Sequence, residues 1–149
     1  MCYDVGPEEK LNSKFAAHLN PKTAMRPLIQ HVEVRRSKIH GLGVFAKKDI
    51  RKGQIIEQCP YLITFLENHK LINDYLFYRS PKTGMIILGY GCIYNHSPDY
   101  NAEYFEDTEK KLIEFVARRN IKKGEEIFIH YGDAYFKDRN MRVATPSFR

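Results

Sequence analysis

Short runs of apolar residues, several of them β-branched or aromatic, recur from about residue 29 onward, and turn-forming residues separate the runs. Runs of this length and composition are typical of strands. The pattern predicts strands over residues 31–36, 43–46, 54–59, 85–88, 102–105, 112–117 and 126–129. Strands this short indicate several small sheets rather than one large one.

Helical spacing of apolar residues is confined to two stretches. Residues 61–78 show it in part and predict the main helix of the core. Residues 8–19 are amphipathic and predict a helix within the proline-containing segment 1–27. We therefore expect an α+β domain, mainly β with few short helices, over residues 28–136. Residues 1–27 form a peripheral arm and residues 137–149 a short tail in this interpretation.

Two eight-residue segments, residues 49–56 and 120–127, are similar to each other. Each carries an isoleucine, then a Lys-Gly turn, then the start of a predicted strand. The match does not extend beyond eight residues. The pattern therefore indicates a turn-strand element used twice rather than a true internal repeat.

Composition places the chain among ordinary globular proteins: its 149 residues are 43% hydrophobic and 28% charged, which suits one domain. No stretch has the apolar length of a membrane span, and the N-terminus lacks a signal pattern. We expect a cytoplasmic or nuclear protein with no membrane partner. The spacings of Cys2, Cys59 and Cys92 favour reduced, mostly buried thiols, with no disulfide framework and no metal site.

The net charge is +6 and the sequence pI is about 9.2. A basic balance of this size is consistent with work near nucleic acid, but it demonstrates no interaction by itself. Lysine and arginine are dispersed along the chain, which favours a solvated basic surface. Direct binding of nucleic acid stays open at this point.

Three blocks carry side chains suited to ligand binding or catalysis. Gly41 and Gly43 allow the backbone to approach a ligand closely, although a tight turn alone explains them. Asn95 and His96 offer amide and imidazole groups, although a polar turn explains this pair equally well. Tyr131 ends a predicted strand, where a tyrosine is more often a core or interface residue than a catalyst. Each block alone is a weak signal.

In combination, the blocks are similar to the SET-domain protein-lysine methyltransferases over residues 31–136. The matching motifs are His40-Gly41-Leu42-Gly43-Val44-Phe45-Ala46, then Asn95-His96-Ser97 with Asn101, then Gly124-Glu125-Glu126-Ile127 with Tyr131-Gly132. The chain looks most like the compact stand-alone SET proteins of the chlorella-virus type. The resemblance implies a β-clip fold of several small sheets with a pseudo-knotted C-terminal part.

The resemblance also implies a cofactor, S-adenosylmethionine, and a place for it. Its expected contacts are the backbone of Gly41, Leu42 and Gly43, the side chains of Asn95 and His96, the neighbourhood of Tyr131, and the ring of Phe136 against the adenine. Tyr131 matches the catalytic tyrosine of the family. The aromatic positions expected to line a separate channel for the substrate lysine are Tyr75, Tyr104 and Tyr135.

Elementary chemistry agrees with such a channel. A lysine in water has a pKa near 10.4, so only about a thousandth of it is neutral at pH 7.4. A dry aromatic channel disfavours the ammonium form, and tyrosine oxygens orient the neutral amine. We therefore expect a protein-lysine N-methyltransferase that acts on histone tails or another basic chromatin protein. The alternatives are a non-histone substrate, a SET-fold binding module without turnover, and a purely structural domain.

Departures from the family pattern leave further points open. Pro98 stands where larger relatives have a zinc-binding cysteine, so Tyr135, Phe136, the last dozen residues or a second subunit of a homodimer must complete the channel wall. His130 replaces an acidic residue, which puts an ion pair in doubt and favours pH dependence near neutrality. The number of methyl groups stays undecided, because Tyr104 favours fewer and Ile129 favours more.

An acidic run follows the second block and comprises Glu103, Glu106, Asp107 and Glu109. A charged surface loop is the favoured interpretation. The alternative is a surface that attracts a basic substrate tail.

Overall fold

A computed structural model of the chain describes residues 31–66 and 72–138. Its elements, in chain order, are β1 (Val32–Arg36), β2 (Leu42–Ala46), β3 (Ile55–Phe65), a 3₁₀ helix (Asn73–Tyr75), β4 (Phe77–Tyr78), β5 (Thr83–Ile87), a second 3₁₀ helix (Gly91–Ile93), β6 (Asn95–His96), β7 (Ala102–Asp107), β8 (Leu112–Ala117), β9 (Glu126–Ile129) and α1 (Asp133–Asp138). The predicted arm, its helix and nearly all of the predicted tail lie outside the described residues. The predicted domain boundaries therefore stay predictions.

The strands form two sheets. One has the order β1-β2-β9-β6, in which β9 pairs antiparallel with β2 and parallel with β6. The other has the order β4-β5-β3-β8-β7 and is antiparallel throughout. The mainly β architecture with few short helices is confirmed. Within residues 31–66 and 72–138, no helix is long and apolar enough to cross a bilayer.

The predicted helix over residues 61–78 is wrong in its described parts. Residues Tyr61 to Phe65 continue β3 and pair with β5, and a 3₁₀ helix and β4 follow residue 71. Leu62 pairs with Ile86 and Ile63 with Met85 in an antiparallel register, which identifies this stretch as a strand. The β-branched residues Ile63 and Thr64 favour this conformation, and pairing with β5 overrides the partial helical spacing.

The remaining strand predictions agree with the structure to within a few residues. Strands β8 and β9 have the predicted bounds, and β7 runs two residues further than expected, to Asp107. The strand β3 has 11 residues, because it pairs with β8 through its first half and with β5 through its second half. One long strand thereby ties together the two halves of the second sheet.

The two similar turn-strand segments pack against each other. Ile50 and Ile121 exchange backbone hydrogen bonds of 2.9 Å in both directions and are almost fully buried. Asp49 accepts a hydrogen bond from the backbone N–H of Lys123 at 2.9 Å, and Asn120 accepts one from Lys52 at 2.9 Å. We call these paired segments, residues 46–54 and 117–125, the clasp.

The correspondence within the clasp reaches further than the sequence match. Gly53 donates to the carbonyl of Ala117 at 2.7 Å, and Gly124 donates to Ala46 at 2.7 Å. Both glycines have positive φ, 80° and 83°, as a left-handed turn position requires. Each clasp segment also carries the chain from one sheet to the other, from β2 to β3 and from β8 to β9. The clasp therefore fixes the two sheets relative to each other.

Asn101 secures the parallel contact between β6 and β9. Its side chain is fully buried and donates to the carbonyl oxygen of Glu126 at 2.9 Å, while its Oδ1 accepts from the N–H of Phe128 at 2.8 Å. Its own backbone N–H donates to the carbonyl of Phe128 at 3.2 Å. One asparagine thus supplies hydrogen bonds that a two-residue strand such as β6 cannot.

We expect Asn101→Ala to lower the free energy of unfolding by about 2–4 kcal/mol, because it leaves buried backbone groups of β9 unsatisfied. Urea unfolding followed by circular dichroism measures this. Asn120→Ala is the matched control; it removes one exposed hydrogen bond and costs about 1 kcal/mol or less. Equal losses in the two variants would contradict the role given to Asn101.

Candidate active site

The parallel pairing of β6 with β9 brings the second and third sequence blocks into contact. His96 lies beside Ile129 in the register, and the backbone N–H of Tyr131 donates to His96 Nδ1 at 3.2 Å. Burial lowers the pKa of His96, and the neighbouring His130 lowers it further. The imidazole is therefore neutral at neutral pH, which keeps Nδ1 available as an acceptor.

The hydroxyl of Tyr131 has a defined direction. It donates to the backbone carbonyl oxygen of Tyr94 at 2.6 Å. Burial is the main reason that the pKa of Tyr131 lies above the ordinary value for a tyrosine, and the nearby Tyr135 adds to the effect. Tyr131 therefore stays protonated at neutral pH, and its oxygen retains lone pairs that can accept a further hydrogen bond.

The glycine turn is held in place by Asn95. The Asn95 side-chain amide donates to the carbonyl oxygens of Leu42 at 2.9 Å and His40 at 3.2 Å, and to Glu126 at 3.0 Å. Gly41 has a φ of 49°, which favours glycine. These contacts shape the turn that connects β1 to β2.

Gly43 lies behind the turn rather than at its surface. A Cβ at this position would overlap the Glu126 carboxylate. A larger side chain at this position would have to displace the Glu126 carboxylate from its present position. The Glu126 carboxylate itself is held by Ser37 at 3.0 Å and by the Asn95 amide.

Two cavities meet at Tyr131. The larger has a volume of about 520 Å³ and is lined by Gly41, Leu42, Asn95, His96 and Phe136, among others. The smaller has a volume of about 90 Å³ and is lined by Tyr94, Tyr104 and Ile129, among others. Residues that line both are Asp74, Tyr75, Cys92, Tyr131 and Tyr135. Of the positions predicted from the sequence, only Gly43 lines neither cavity.

Aromatic rings form much of the boundary between the cavities. The Tyr131 and Tyr135 rings meet edge to face with centroids 4.7 Å apart. Phe136 lies 4.5 Å from His96 and nearly parallel to Tyr131 at 6.2 Å, measured between ring centroids. In the smaller cavity, Tyr104 packs edge to face on Phe77 at 4.9 Å. Both Tyr135 and Phe136 come from α1, which begins directly after the Tyr131-Gly132 turn.

Several residues at this site were not predicted as site residues. Cys92 lines both cavities, and its thiol donates to the carbonyl oxygens of Ile87 at 3.2 Å and Tyr75 at 3.3 Å. Burial raises the pKa of the Cys92 thiol, so it is a poor nucleophile. Asp74 lines both cavities as well. Both residues are close in sequence to predicted site residues, since Asp74 precedes Tyr75 and Cys92 stands three residues before Asn95.

Glu57 is the least expected of these residues. It is fully buried in β3, and its carboxylate accepts hydrogen bonds from the Tyr94 hydroxyl at 3.0 Å and the Tyr90 N–H at 2.9 Å. The Tyr94 ring also stacks on Phe115 with centroids 4.5 Å apart. Glu57 thus fixes Tyr94, and the Tyr94 carbonyl in turn receives the Tyr131 hydroxyl.

The sequence of this chain is similar to those of known proteins. The SET domain family model matches residues 41–132. The chain is 31% identical over 114 residues to the histone-lysine N-methyltransferase, H3 lysine-37 specific, of Schizosaccharomyces pombe, with 72% of this chain and 78% of that protein covered. This chain is a SET-domain lysine methyltransferase. The expected family and fold are thereby confirmed.

Solved structures agree with this membership. A crystal structure of a candidate histone methyltransferase from Plasmodium falciparum superposes on this SET domain with a TM-score of 0.60 at 33% sequence identity. The match covers 71% of this chain and 96% of that one. Most residues that line the two cavities belong to the matched family region, and the others, Ile39, His40, Tyr135 and Phe136, lie within four residues of its ends.

The acidic run of this SET domain is not a loop. Glu103, Glu106 and Asp107 lie on β7, and each pairs with a cation: Arg118 at 3.5 Å, Arg79 at 2.9 Å and Lys110 at 2.6 Å. The expectation of a charged loop is therefore wrong for these residues. Local pairing also weakens any long-range attraction of a basic tail, because the carboxylates already face positive charge.

His130 contacts residues of the turn that follows it. His130 Nδ1 accepts from the N–H of Gly132 at 3.0 Å, and its Nε2 lies 3.8 Å from Asp133. This contact is an ion pair only when the imidazole is protonated.

Among residues 31–66 and 72–138, no group of three His, Cys, Asp or Glu side chains is arranged to hold a metal ion.

We expect Glu57→Ala to lower the free energy of unfolding by about 2–4 kcal/mol, since it leaves two buried donors without a partner and opens a cavity. Equilibrium urea unfolding checks this. Glu114→Ala on the adjacent strand is the matched control; Glu114 is half-exposed and accepts one hydrogen bond from Gln58, so its loss costs about 1 kcal/mol or less. A Glu57 variant as stable as the control would refute this role.

Proposed function

We propose that the protein transfers a methyl group from S-adenosylmethionine to a lysine side chain of a histone tail or another basic chromatin protein. The observation that carries the proposal is that two cavities of unequal size share the wall at Tyr131. A reaction between a bulky donor and a slender side chain requires such a pair of compartments.

The larger cavity fits the donor. Its volume of about 520 Å³ lies within the range of small-molecule sites. The Asn95 amide is used in holding the glycine turn, which leaves the backbone of Gly41 and Leu42, the His96 ring and the Phe136 ring to contact the ligand. Gly43 acts indirectly, since it allows Glu126 and Asn95 to pack beneath the turn. When bound, the donor supplies an electrophilic methyl group on a sulfonium.

The smaller cavity fits the lysine. Tyr75, Tyr104 and Tyr135 contribute aromatic rings to its lining, with Tyr75 and Tyr104 partly open to solvent. Apolar ring surface favours the neutral amine over the ammonium. The Tyr131 hydroxyl donates its proton to the Tyr94 carbonyl, so its oxygen accepts an N–H of the amine and directs the nitrogen lone pair. Tyr131 stays protonated and positions the amine, and the lysine ammonium gives up its proton to bulk solvent before the neutral amine is bound in the cavity.

The substrate class rests on the relatives. One relative is named as specific for lysine 37 of histone H3, and the matching crystal structure is of a candidate histone methyltransferase. A nuclear location follows from such a substrate. Mass spectrometry of mixed histones after incubation with the enzyme and labelled donor identifies target, site and methyl count. Labelling of a non-histone protein alone would replace the histone proposal while leaving the chemistry intact.

We expect Tyr131→Phe to lower kcat by about 100-fold or more, since it removes the oxygen that orients the amine, while the affinity for S-adenosylmethionine changes little. Steady-state kinetics and calorimetric titration measure the two quantities. Tyr61→Phe is the matched control, because it also removes a tyrosine hydroxyl, one that donates to Glu106; neither Tyr61 nor Glu106 lines either cavity. Full activity of Tyr131→Phe would overturn the assigned role.

We expect Asn95→Ala to weaken binding of S-adenosylmethionine by about tenfold, because three hydrogen bonds that shape the glycine turn are lost. Calorimetric titration of the donor provides the dissociation constant. Asn120→Ala, which lies outside both cavities, serves as the control and leaves the affinity unchanged. Unaltered affinity in Asn95→Ala would show that the turn does not form the donor site.

A further inference from the structure

The clasp gathers positive charge that is scattered in the sequence. Each of its two segments has basic residues at the same four positions. All eight side chains are exposed; they are Lys47, Lys48, Arg51 and Lys52 in one segment and Arg118, Arg119, Lys122 and Lys123 in the other. The reciprocal hydrogen bonds of Asp49 with Lys123 and of Asn120 with Lys52 place the two groups side by side.

The clasp accounts for the net charge of the whole chain. It holds eight of the 24 lysines and arginines but only two of the 18 acidic residues, Asp49 and Glu125. Its excess of six positive charges equals the formal charge of the complete protein, +6. The rest of the sequence therefore balances its charges, and the basic character of the chain is a local property.

Few of these cations are neutralised by neighbours. Arg119 pairs with Glu125 at 2.6 Å, Lys122 with Asp49 at 3.0 Å, and Arg118 contacts Glu103 at 3.5 Å. The other five form no ion pair within residues 31–66 and 72–138; they are Lys47, Lys48, Arg51, Lys52 and Lys123. A surface with this many unpaired like charges favours an anionic partner.

The backbone that carries the cations is fixed. Lys52 and Lys123 donate their backbone N–H groups across the clasp, so their side chains start from defined positions while remaining exposed. None of the large apolar side chains exposed in the described part of the chain belongs to the clasp. A surface that inserts into a lipid interface carries such side chains, so the clasp suits a hydrophilic polyanion.

We propose that the clasp is a docking surface for the phosphate backbone of double-stranded DNA. Lysine and arginine side chains on exposed turns contact phosphates without regard to base sequence. The two clasp segments pair antiparallel and present two sets of cations side by side, which suits a ligand with many negative charges.

The clasp and the candidate active site lie at opposite ends of one strand. The chain runs from Gly124 in the clasp through β9 to Tyr131, a distance of at most about 23 Å for seven extended residues. If the proposed function holds, DNA bound at the clasp leaves the lysine channel free for a tail that extends from the same chromatin particle. DNA binding itself does not depend on that function.

The test uses the full chain without donor or peptide and a fluorescein-labelled DNA duplex. With about 30 base pairs of DNA and about 50 to 200 mM KCl, we expect micromolar binding by anisotropy and a linear fall of log K with log salt concentration. The double variant Lys52→Gln with Lys123→Gln makes this slope shallower by about 2, since each phosphate contact contributes about 0.9. Its backbone hydrogen bonds are retained, and an unchanged thermal midpoint verifies the fold.

The control is Arg36→Gln with Lys82→Gln, two exposed cations outside the clasp. It removes the same total charge, and we expect the slope and affinity of the unaltered protein. Equal weakening in both double variants would assign the effect to net charge and overturn the proposal. Absence of binding at the lowest salt would overturn it as well, and so would equally tight binding to phosphatidylserine vesicles or to polyglutamate.

Discussion

The parallel contact between β6 and β9 is the interaction on which the site depends. Each strand is short, and the contact joins segments more than thirty residues apart in sequence. Asn101 compensates for the short ladder, because it forms hydrogen bonds with the N–H and the carbonyl of Phe128 and with the carbonyl of Glu126. Tyr131 then follows β9 into contact with His96 and with the Tyr94 carbonyl. Position of the phenol is thus a direct result of strand register.

Local patterns were sufficient for most of the β architecture. Strands β8 and β9 are short runs rich in β-branched and aromatic residues with turn residues close behind, so their bounds could be predicted from composition and length. The stretch after Tyr61 could not, because its apolar spacing fits a helix in part. What decides its conformation is pairing with β5, a partner that local sequence does not reveal.

At the site, too, some residues could be predicted from local sequence and others could not. Gly41, Asn95, His96 and Tyr131 belong to recognisable motifs, and the structure places them around one pair of cavities. Glu57 belongs to no motif, because its role depends on a hydrogen bond with Tyr94, which is 37 residues away. Motifs identify residues that line the cavities, whereas a residue such as Glu57 is recognised only from its tertiary contacts.

The reciprocal hydrogen bonds of the clasp have a consequence for how the chain folds. Their partners are 68 and 74 residues apart, and closing a loop of that size costs about 4 kcal/mol of chain entropy. Each segment closes its own turn locally, by bonds from Gln54 to Arg51 and from Glu125 to Lys122, but the bonds across the clasp form only when both segments are present. Early and late parts of the chain therefore become ordered together. A nascent chain that lacks its last third cannot form the clasp and does not reach the native fold.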